Sequence, residues 1–499
     1  MRSVPRIVGT VLVACAVGCG GHRSSFGSAS TAGGSTGSGG GSPTPATAVL
    51  TVEAHPLASA VQAVAPGPIA VLGVKFAATG GDVDISRIDV VASGSIDETA
   101  FGEARLVLDA DRDGAVGPAD SLVATGLAPQ VNDGSYSIQP VLPIRIDAGT
   151  AVEFLIAVDS SPLGTSADHV KQAGKTAALT LDDALAVLAA DPAGNVISVN
   201  GTFPLGNSVT LSAGEHVLIS EVATAYGVNH WLGEYVELVN PTAAAIDLSD
   251  YYLTDFTADP TAGQFHWKLP TGVDFGPANT SNHPDFIVRF PAGATIAPGQ
   301  VIVVAVDGAG FAAESGGLEA DYCLRNPGTT AAAQMLSWNG VPGAAFTAAP
   351  TTGGLTGSLT SASTATGELV CLFAWDGVSD LIQDVDLVNY GSSSATNVPV
   401  DKSPGQTAPG APDVRVDSIT DADRVESTYQ PDTDFLGQED RRAPCGPSVA
   451  RIDFSEGAET ASGGNGVAGH DETSEGFGDG LGGNGTFVRS TTHTPGTLD

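Results

Sequence analysis

Between Asp109 and Asp120 the chain sets Asp109, Asp111 and Asp113 at alternate positions, followed by Gly114, Ala115, Val116 and a closing Asp120. Carboxylates spaced this way can converge on one hard cation. Gly114 permits the sharp turn, the Ala115 carbonyl offers another oxygen, and Val116 can anchor the loop in a core. Four carboxylates with only Arg112 beside them would otherwise repel one another, so the expected occupant is Ca2+, held by Asp109, Asp111, Asp113, Ala115 and Asp120. No flanking helices are evident that a bound ion could splay apart, so its expected role is structural rather than that of a sensor. A second acidic group, Asp376, Asp380, Asp384 and Asp386, is read as turn-forming, the commoner use of such aspartates, with a second cation as the alternative.

Catalytic patterns are weaker. The run His470-Asp471-Glu472-Thr473-Ser474-Glu475 contains residue types used as base, metal ligand and nucleophile. Members of a triad approach in space from separate segments, so adjacency is the wrong geometry, and the run reads as a loop held by side-chain to backbone hydrogen bonds. The segment from His169 to Thr176 imitates the end of a phosphate-binding loop, but His169 stands where its first glycine should be. There is no HExxH, no GxSxG, and no CxxC or Cys/His cluster pointing to zinc. An enzyme is not expected.

The elements that must position the aspartates read as strands. Candidates are Val71 to Ala77, Val83 to Val91, Arg105 to Leu108, Ser137 to Ile146 and Val152 to Val158, separated by breakers such as Gly80-Gly81 and Asn132-Asp133-Gly134. Val152, Phe154, Ile156 and Val158 recur with a period of two, which predicts a strand with one buried face. Asp182 to Ala190 reads as a short helix. Without a regular series of amphipathic helices the spacing favours antiparallel sandwiches over a parallel sheet. Further strands are expected at Phe286 to Phe290, Val301 to Val306 and Leu369 to Trp375, with a long Gly/Ala/Thr-rich excursion from Gly308 to Thr366. The expected fold is all-β, with two consecutive antiparallel β-sandwiches at 49–214 and 215–445. A Gly/Ser/Thr linker at 20–48 precedes them, and a glycine-rich extension at 446–499 follows.

Residues 1–19 carry Arg2 and Arg6, then an apolar run from Ile7 to Val17, too short to span a bilayer and suited to a secretory signal. The run ends in Ala16-Val17-Gly18-Cys19, which resembles the lipobox of bacterial lipoproteins. That resemblance implies lipidation of Cys19 at the mature N-terminus. Leu12-Val13-Ala14-Cys15 also fits, but leaves a shorter apolar core. Gly20 is not the aspartate that retains such proteins at the inner membrane, so the resemblance implies the outer membrane or cell surface. Export to an oxidising compartment would leave Cys323, Cys371 and Cys445, enough for at most one pair, which spacing does not identify.

The Asp109 to Asp120 loop resembles the EF-hand-type loop of dockerins and of many secreted β-sandwich domains, departing from it in the Asp rather than Glu at position twelve. A second resemblance covers Glu215 to Gly391. Leu218-Ile-Ser-Glu-Val222, Glu234-Tyr-Val-Glu-Leu-Val-Asn-Pro241, Ile246-Asp-Leu-Ser249, Tyr252-Leu-Thr-Asp255, Ala297-Pro-Gly-Gln-Val-Ile-Val303, Leu369-Val-Cys-Leu-Phe-Ala-Trp-Asp-Gly377 and Asp384-Val-Asp-Leu-Val-Asn-Tyr-Gly391 together resemble the bacterial lamin tail domain. The resemblance implies an immunoglobulin-like sandwich used in adhesion or tethering, with no catalytic residues. Glu221, Glu237 and Asn240 would be its signature positions.

The whole chain of 499 residues carries 56 acidic and 20 basic side chains, a net charge of −36. Phosphate binding needs clustered cations, so no nucleic-acid partner is expected. The expected partners are the membrane, through the N-terminal lipid, and a protein or polysaccharide at the cell surface. The resulting expectation is a non-catalytic envelope lipoprotein for display, adhesion or scaffolding. The alternatives are a carbohydrate-binding accessory protein using tryptophans among Trp231, Trp267, Trp338 and Trp375, and a metal-dependent hydrolase using 470–475.

Overall fold

The computed structural model describes residues 47–498 apart from 225–231, 257, 260–262, 276–284, 338–358, 360–367, 391–401, 403–418, 421–424, 432–447, 456–465, 468–485 and 491–492. Cys19, Cys445 and residues 470–475 therefore lie outside the described residues.

The fold is all-β. The first half supplies thirteen strands: β1 (Val49–Ala54), β2 (Val61–Ala63), β3 (Pro68–Thr79), β4 (Val83–Gly94), β5 (Ala104–Leu108), β6 (Ser121–Gly126), β7 (Ser135–Ile138), β8 (Ile144–Ile146), β9 (Ala151–Asp159), β10 (Thr176–Leu181), β11 (Val187–Ala190), β12 (Ser198–Gly201) and β13 (Leu205–Ser212). They form one hydrogen-bonded path, β12-β1-β3-β9-β5-β6-β7-β4-β10-β13-β2, with β8 and β11 also paired to β4. The path turns a corner where β6 and β7 share the single pair Gly126–Ile138. A Cβ on Gly126 would stand 2.7 Å from the Ser137 carbonyl, so only glycine fits that corner. The folded-over path encloses one core, in which the Phe76 and Phe154 rings lie 5.8 Å apart. Asn207 Nδ2 on β13 donates to the Val71 carbonyl on β3 at 2.9 Å, tying the two layers together.

Pairing is antiparallel except at two places, β1 with β12 and β13 with β2, which are parallel. Three expectations change. Ser137 to Ile146 is two short strands, because Gln139 to Pro143 leaves the ladder and Pro140 and Pro143 cannot donate to one. Asp182 to Ala190 is one 3-10 turn, Ala184–Ala186, capped by Asp183 and followed by strand β11, whose Val187 and Ala189 enter the core. Finally, β9 is buried on both faces from Phe154 onward. Leu155 turns away from the main core and packs with Ala70 and Val107 beneath Leu57 and Val116, so the aspartate loop roofs the face expected to meet water.

The second half is an immunoglobulin-like sandwich of two sheets. One runs in the order Ala333–Gln334, Tyr322–Arg325, Val301–Asp307, Tyr235–Val239, Leu218–Ala223, Ser448–Arg451, Phe487–Ser490. The other runs Leu336–Ser337, Ile287–Arg289, Tyr251–Thr254, Glu368–Ala374, Gln383–Tyr390. Their facing sides enclose Val222, Val236, Leu253, Val288, Val304, Val370 and Val388. The excursion after Gly308 begins as structure rather than loop. Helix Gly308–Glu314, capped by Asp307 accepting from Gly310 N at 2.8 Å, leads back to Tyr322–Arg325, which runs parallel to Val301–Asp307.

The two sandwiches touch. Ala167 and Val170, on the short helix Ser166–Val170, pack against Leu218, Val239, Phe454 and Leu498, and Phe454 N donates to Ser166 Oγ at 2.9 Å. His169 is buried on this helix with Nδ1 2.8 Å from the Thr165 carbonyl, a helical contact unlike a phosphate cradle.

Candidate metal centre

The aspartate loop is the connection of the β5–β6 hairpin. Leu108 pairs with Ser121, so Asp109 and Asp120, one residue further in, are brought face to face at the hairpin neck. Ala110 N donates to Asp120 Oδ1 at 2.9 Å and Gly117 N to Asp120 Oδ2 at 2.8 Å, which sets the closing carboxylate across the loop. Arg112 has a left-handed φ of 63° and reaches Glu153 Oε2 at 2.7 Å. Gly114 has φ 76°, and a Cβ there would lie 2.5 Å from the Pro56 carbonyl, so the position demands glycine for both space and conformation. Val116 is half-buried against the small cluster under the loop.

Asp109 is the buried member, 2% exposed. Its Oδ2 accepts from Gly114 N at 3.0 Å and from His55 Nε2 at 2.7 Å. Its Oδ1 has no hydrogen-bond partner among the described residues. Burial opposes the charge on Asp109, yet the hydrogen bonds from His55 and Gly114 outweigh it and hold the carboxyl below its ordinary range. Asp111 behaves oppositely: desolvation, then the neighbouring charges of Asp113 and Asp120, push its carboxyl up. One carboxylate oxygen from each of Asp109, Asp111 and Asp120 falls within 4.8 Å of the others. Asp113 is outside that group; its Oδ1 caps Ala115 N at 2.8 Å. Ala115 is half-buried within the same turn.

The donor set is all oxygen, three carboxylates converge, and a buried ionised oxygen lacks a donor. Those are properties a hard divalent cation satisfies and water at a buried oxygen satisfies less well. Sequence reading missed His55, which arrives from 54 residues upstream of Asp109 and carries no local signal.

Other candidate positions are occupied by structure. Asp376 accepts from Val378 N, Ser379 N and Ser379 Oγ, an ordinary turn. Asp380 accepts from Ser427. Asp384 pairs with Lys402, and Asp386 pairs with Arg451 at 2.7 Å while accepting from Ile219 N at 2.5 Å. Glu221 accepts from Tyr235 Oη at 2.5 Å, Glu237 from Ser220 Oγ at 2.6 Å and Gly496 N at 2.8 Å. Asn240 donates to the Ala244 and Ile296 carbonyls and accepts from Thr242 N at 2.9 Å, fixing the turn at Pro241. The signature carboxylates and amide are thus committed to holding strands and turns. Trp267 is fully buried among Phe265, Phe373 and Tyr252, and Trp375 directs Nε1 to the Ser379 carbonyl at 2.8 Å. Trp231 and Trp338 lie outside the described residues.

The family model of the Lamin Tail Domain matches residues 210–376. Among solved structures, a DUF4876 family protein from Bacteroides thetaiotaomicron VPI-5482 aligns with 91% of this chain and 96% of its own at 11% identity and a TM-score of 0.25. A CaDoc0917–CaCohA2 complex aligns over 33% of this chain and 100% of that chain at 16% identity and a TM-score of 0.18. Superpositions this loose carry no structural or functional weight. No curated protein matches the chain.

Proposed function

We propose that this chain is a lipid-anchored, non-catalytic envelope protein whose first sandwich is stabilised by one Ca2+ in the β5–β6 loop, and which works in display, adhesion or scaffolding at the cell surface. The observation that carries the calcium is the buried Asp109 Oδ1, lacking a hydrogen-bond donor and converging with Asp111 and Asp120. Ca2+ there would offset the desolvation and the carboxylate repulsion that raise Asp111 and would lock the loop over Leu155. The absence of catalysis is supported by the lamin-tail-type sandwich and by the structural employment of Glu221, Glu237 and Asn240. The anchor is supported by the Ala16-Val17-Gly18-Cys19 sequence. No described helix is long and apolar enough to cross a membrane, and the proposal does not need one.

A thermal melt of the mature chain in calcium and then in chelator tests the site. Ligand linkage predicts a stabilisation of about 2.7 kcal/mol at a calcium concentration one hundred times Kd. Asp111→Ala is expected to abolish that shift while leaving the calcium-free melt near wild type. An equal melting temperature with and without calcium would remove the ion from the reading. Cys19→Ala is expected to move the protein from the membrane fraction to the soluble one. Carbohydrate binding is the weaker reading, because Trp267 faces the core and cannot stack on a sugar.

A further inference from the structure

The local spacing that suggests a zinc site is absent from the sequence, yet the fold assembles the ligands. Cys371 on Glu368–Ala374 and Asp384 on the adjacent strand Gln383–Tyr390 meet His266, which begins the turn His266–Thr271 laid over that sheet. A ligand atom from each lies within 4.8 Å of the other two, and all three residues are buried, at 0%, 0% and 2% exposure for His266, Cys371 and Asp384. The pairing irregularity between Leu372 and Phe373 sets Asp384 opposite Phe373, so the regular alternation of faces is broken at the strand pair that bears two of the ligands.

We propose that His266, Cys371 and Asp384 bind one Zn2+, a metal site separate from the calcium loop in both place and chemistry. A thiol, an imidazole and one carboxylate form a borderline-soft donor set, which suits zinc and disfavours calcium or magnesium. Zn–S and Zn–N bonds of about 2.3 and 2.0 Å place ligand atoms about 3.5 Å apart, a contraction that small side-chain rotations supply from the observed grouping. Three protein ligands leave the fourth tetrahedral position to a small molecule such as water. Thiolate and carboxylate bring two negative charges to the dication, and the carboxylate also meets the Lys402 ammonium.

The surroundings hold these ligands in place. The His266 ring lies 5.2 Å from Phe373 and 5.0 Å from Trp267, between aromatic walls that fix its orientation. Lys402 pairs with Asp384 and orients the carboxylate, the usual duty of a residue behind a metal ligand. Among the described residues, Cys371 Sγ makes a 3.8 Å contact with the Leu372 carbonyl, a weak use for a buried thiol. The ion would staple the turn carrying Trp267 and Leu269 to the outer face of the five-stranded sheet, adding to the packing of Tyr252, Leu369 and Phe373 and to the hydrogen bond from Tyr429 Oη to the Trp267 carbonyl.

The test uses the full chain, purified without chelator. Elemental analysis is expected to give about one zinc per chain, and replacement by Co2+ to give a thiolate-to-cobalt charge-transfer band. Both should vanish in Cys371→Ser and His266→Gln. They should survive in Cys323→Ser, which alters the other described buried free thiol, and in Asp111→Ala, which alters the calcium loop. Zinc well below stoichiometry together with no cobalt band in the wild-type chain overturns the site without reference to any variant. A band retained in a folded Cys371→Ser chain, or lost in Cys323→Ser, overturns the ligand assignment.

Discussion

Glu221 shows how one buried side chain makes stability depend on pH. Desolvation raises its carboxyl above the ordinary value of 4.5, against the opposing hydrogen bonds from Ser448 and Tyr235. The folded state therefore holds a proton there more tightly than the unfolded chain does. Stability drawn from the neutral form is complete below 4.5 and is lost as pH rises through the folded-state value. Glu221→Gln, neutral at every pH and similar in shape, is expected to melt above wild type at pH 8, with the gap closing as pH falls toward 4. Melting curves at several pH values check this; a gap independent of pH would contradict it. The convergence of Asp109, Asp111 and Asp120 was legible in the sequence because their spacing is local. His55 and the grouping of His266, Cys371 and Asp384 were not, since their partners arrive across strands whose pairing no local pattern encodes.

Strands with regular alternation were readable for the same local reason. β4 shows buried positions at every second residue over much of its length, and the apolar run from Val83 to Val91 places it within three residues of its observed end. Periodicity failed where tertiary cover overrides it. β9 looks half-exposed in sequence because nothing local announces that the aspartate loop lies over Leu155. β11 looks helical because Ala-Leu-Ala-Val-Leu-Ala-Ala carries helix formers, but its neighbour β4 offers an open edge and the core takes Val187 and Ala189. Between the two sheets of the second sandwich, one buried polar tie is Arg451, whose side chain is 1% exposed and meets Asp386 on the opposite sheet. It also donates to the Ile219 carbonyl at 2.9 Å and covers the Phe487 ring at 4.6 Å. Arg451→Ala leaves the Asp386 charge buried and should cost about 3–5 kcal/mol in denaturant unfolding. Arg451→Met, tested with Asp386→Leu, should recover much of that loss, because packing replaces the pair without a stranded charge.

At the scale of the molecule, residues from both halves form one small apolar cluster around Val170, Leu218, Val239 and Phe454. Gly174 supports the same contact: a Cβ there would stand 2.3 Å from Pro298 Cβ, so the first sandwich approaches the second closely at this point. Shared burial couples the unfolding of neighbours, so the chain is expected to melt in one calorimetric transition. Val170→Asp puts a carboxylate into the cluster and should separate the trace into two transitions, each sandwich retaining its own core. The all-β class and the likeness of the second half were visible in advance, since both rest on strand patterns. The seam was not, because it is made by a five-residue helix too short to show a period in the sequence.

The strand Ser448–Arg451 lies against Leu218–Ala223, with Val449 opposite Val222, and so covers one flank of the first strand of the second sandwich. The span that matches the family model stops at residue 376 and omits that cover. An excised fragment confined to the matched span would therefore present the bare backbone donors and acceptors of Glu221–Ala223, the end of a strand buried along its whole length, to any other chain in solution. Such a fragment is built to polymerise edge to edge. The distant residues that cap the strand act, in effect, as the molecule's own guard against self-association.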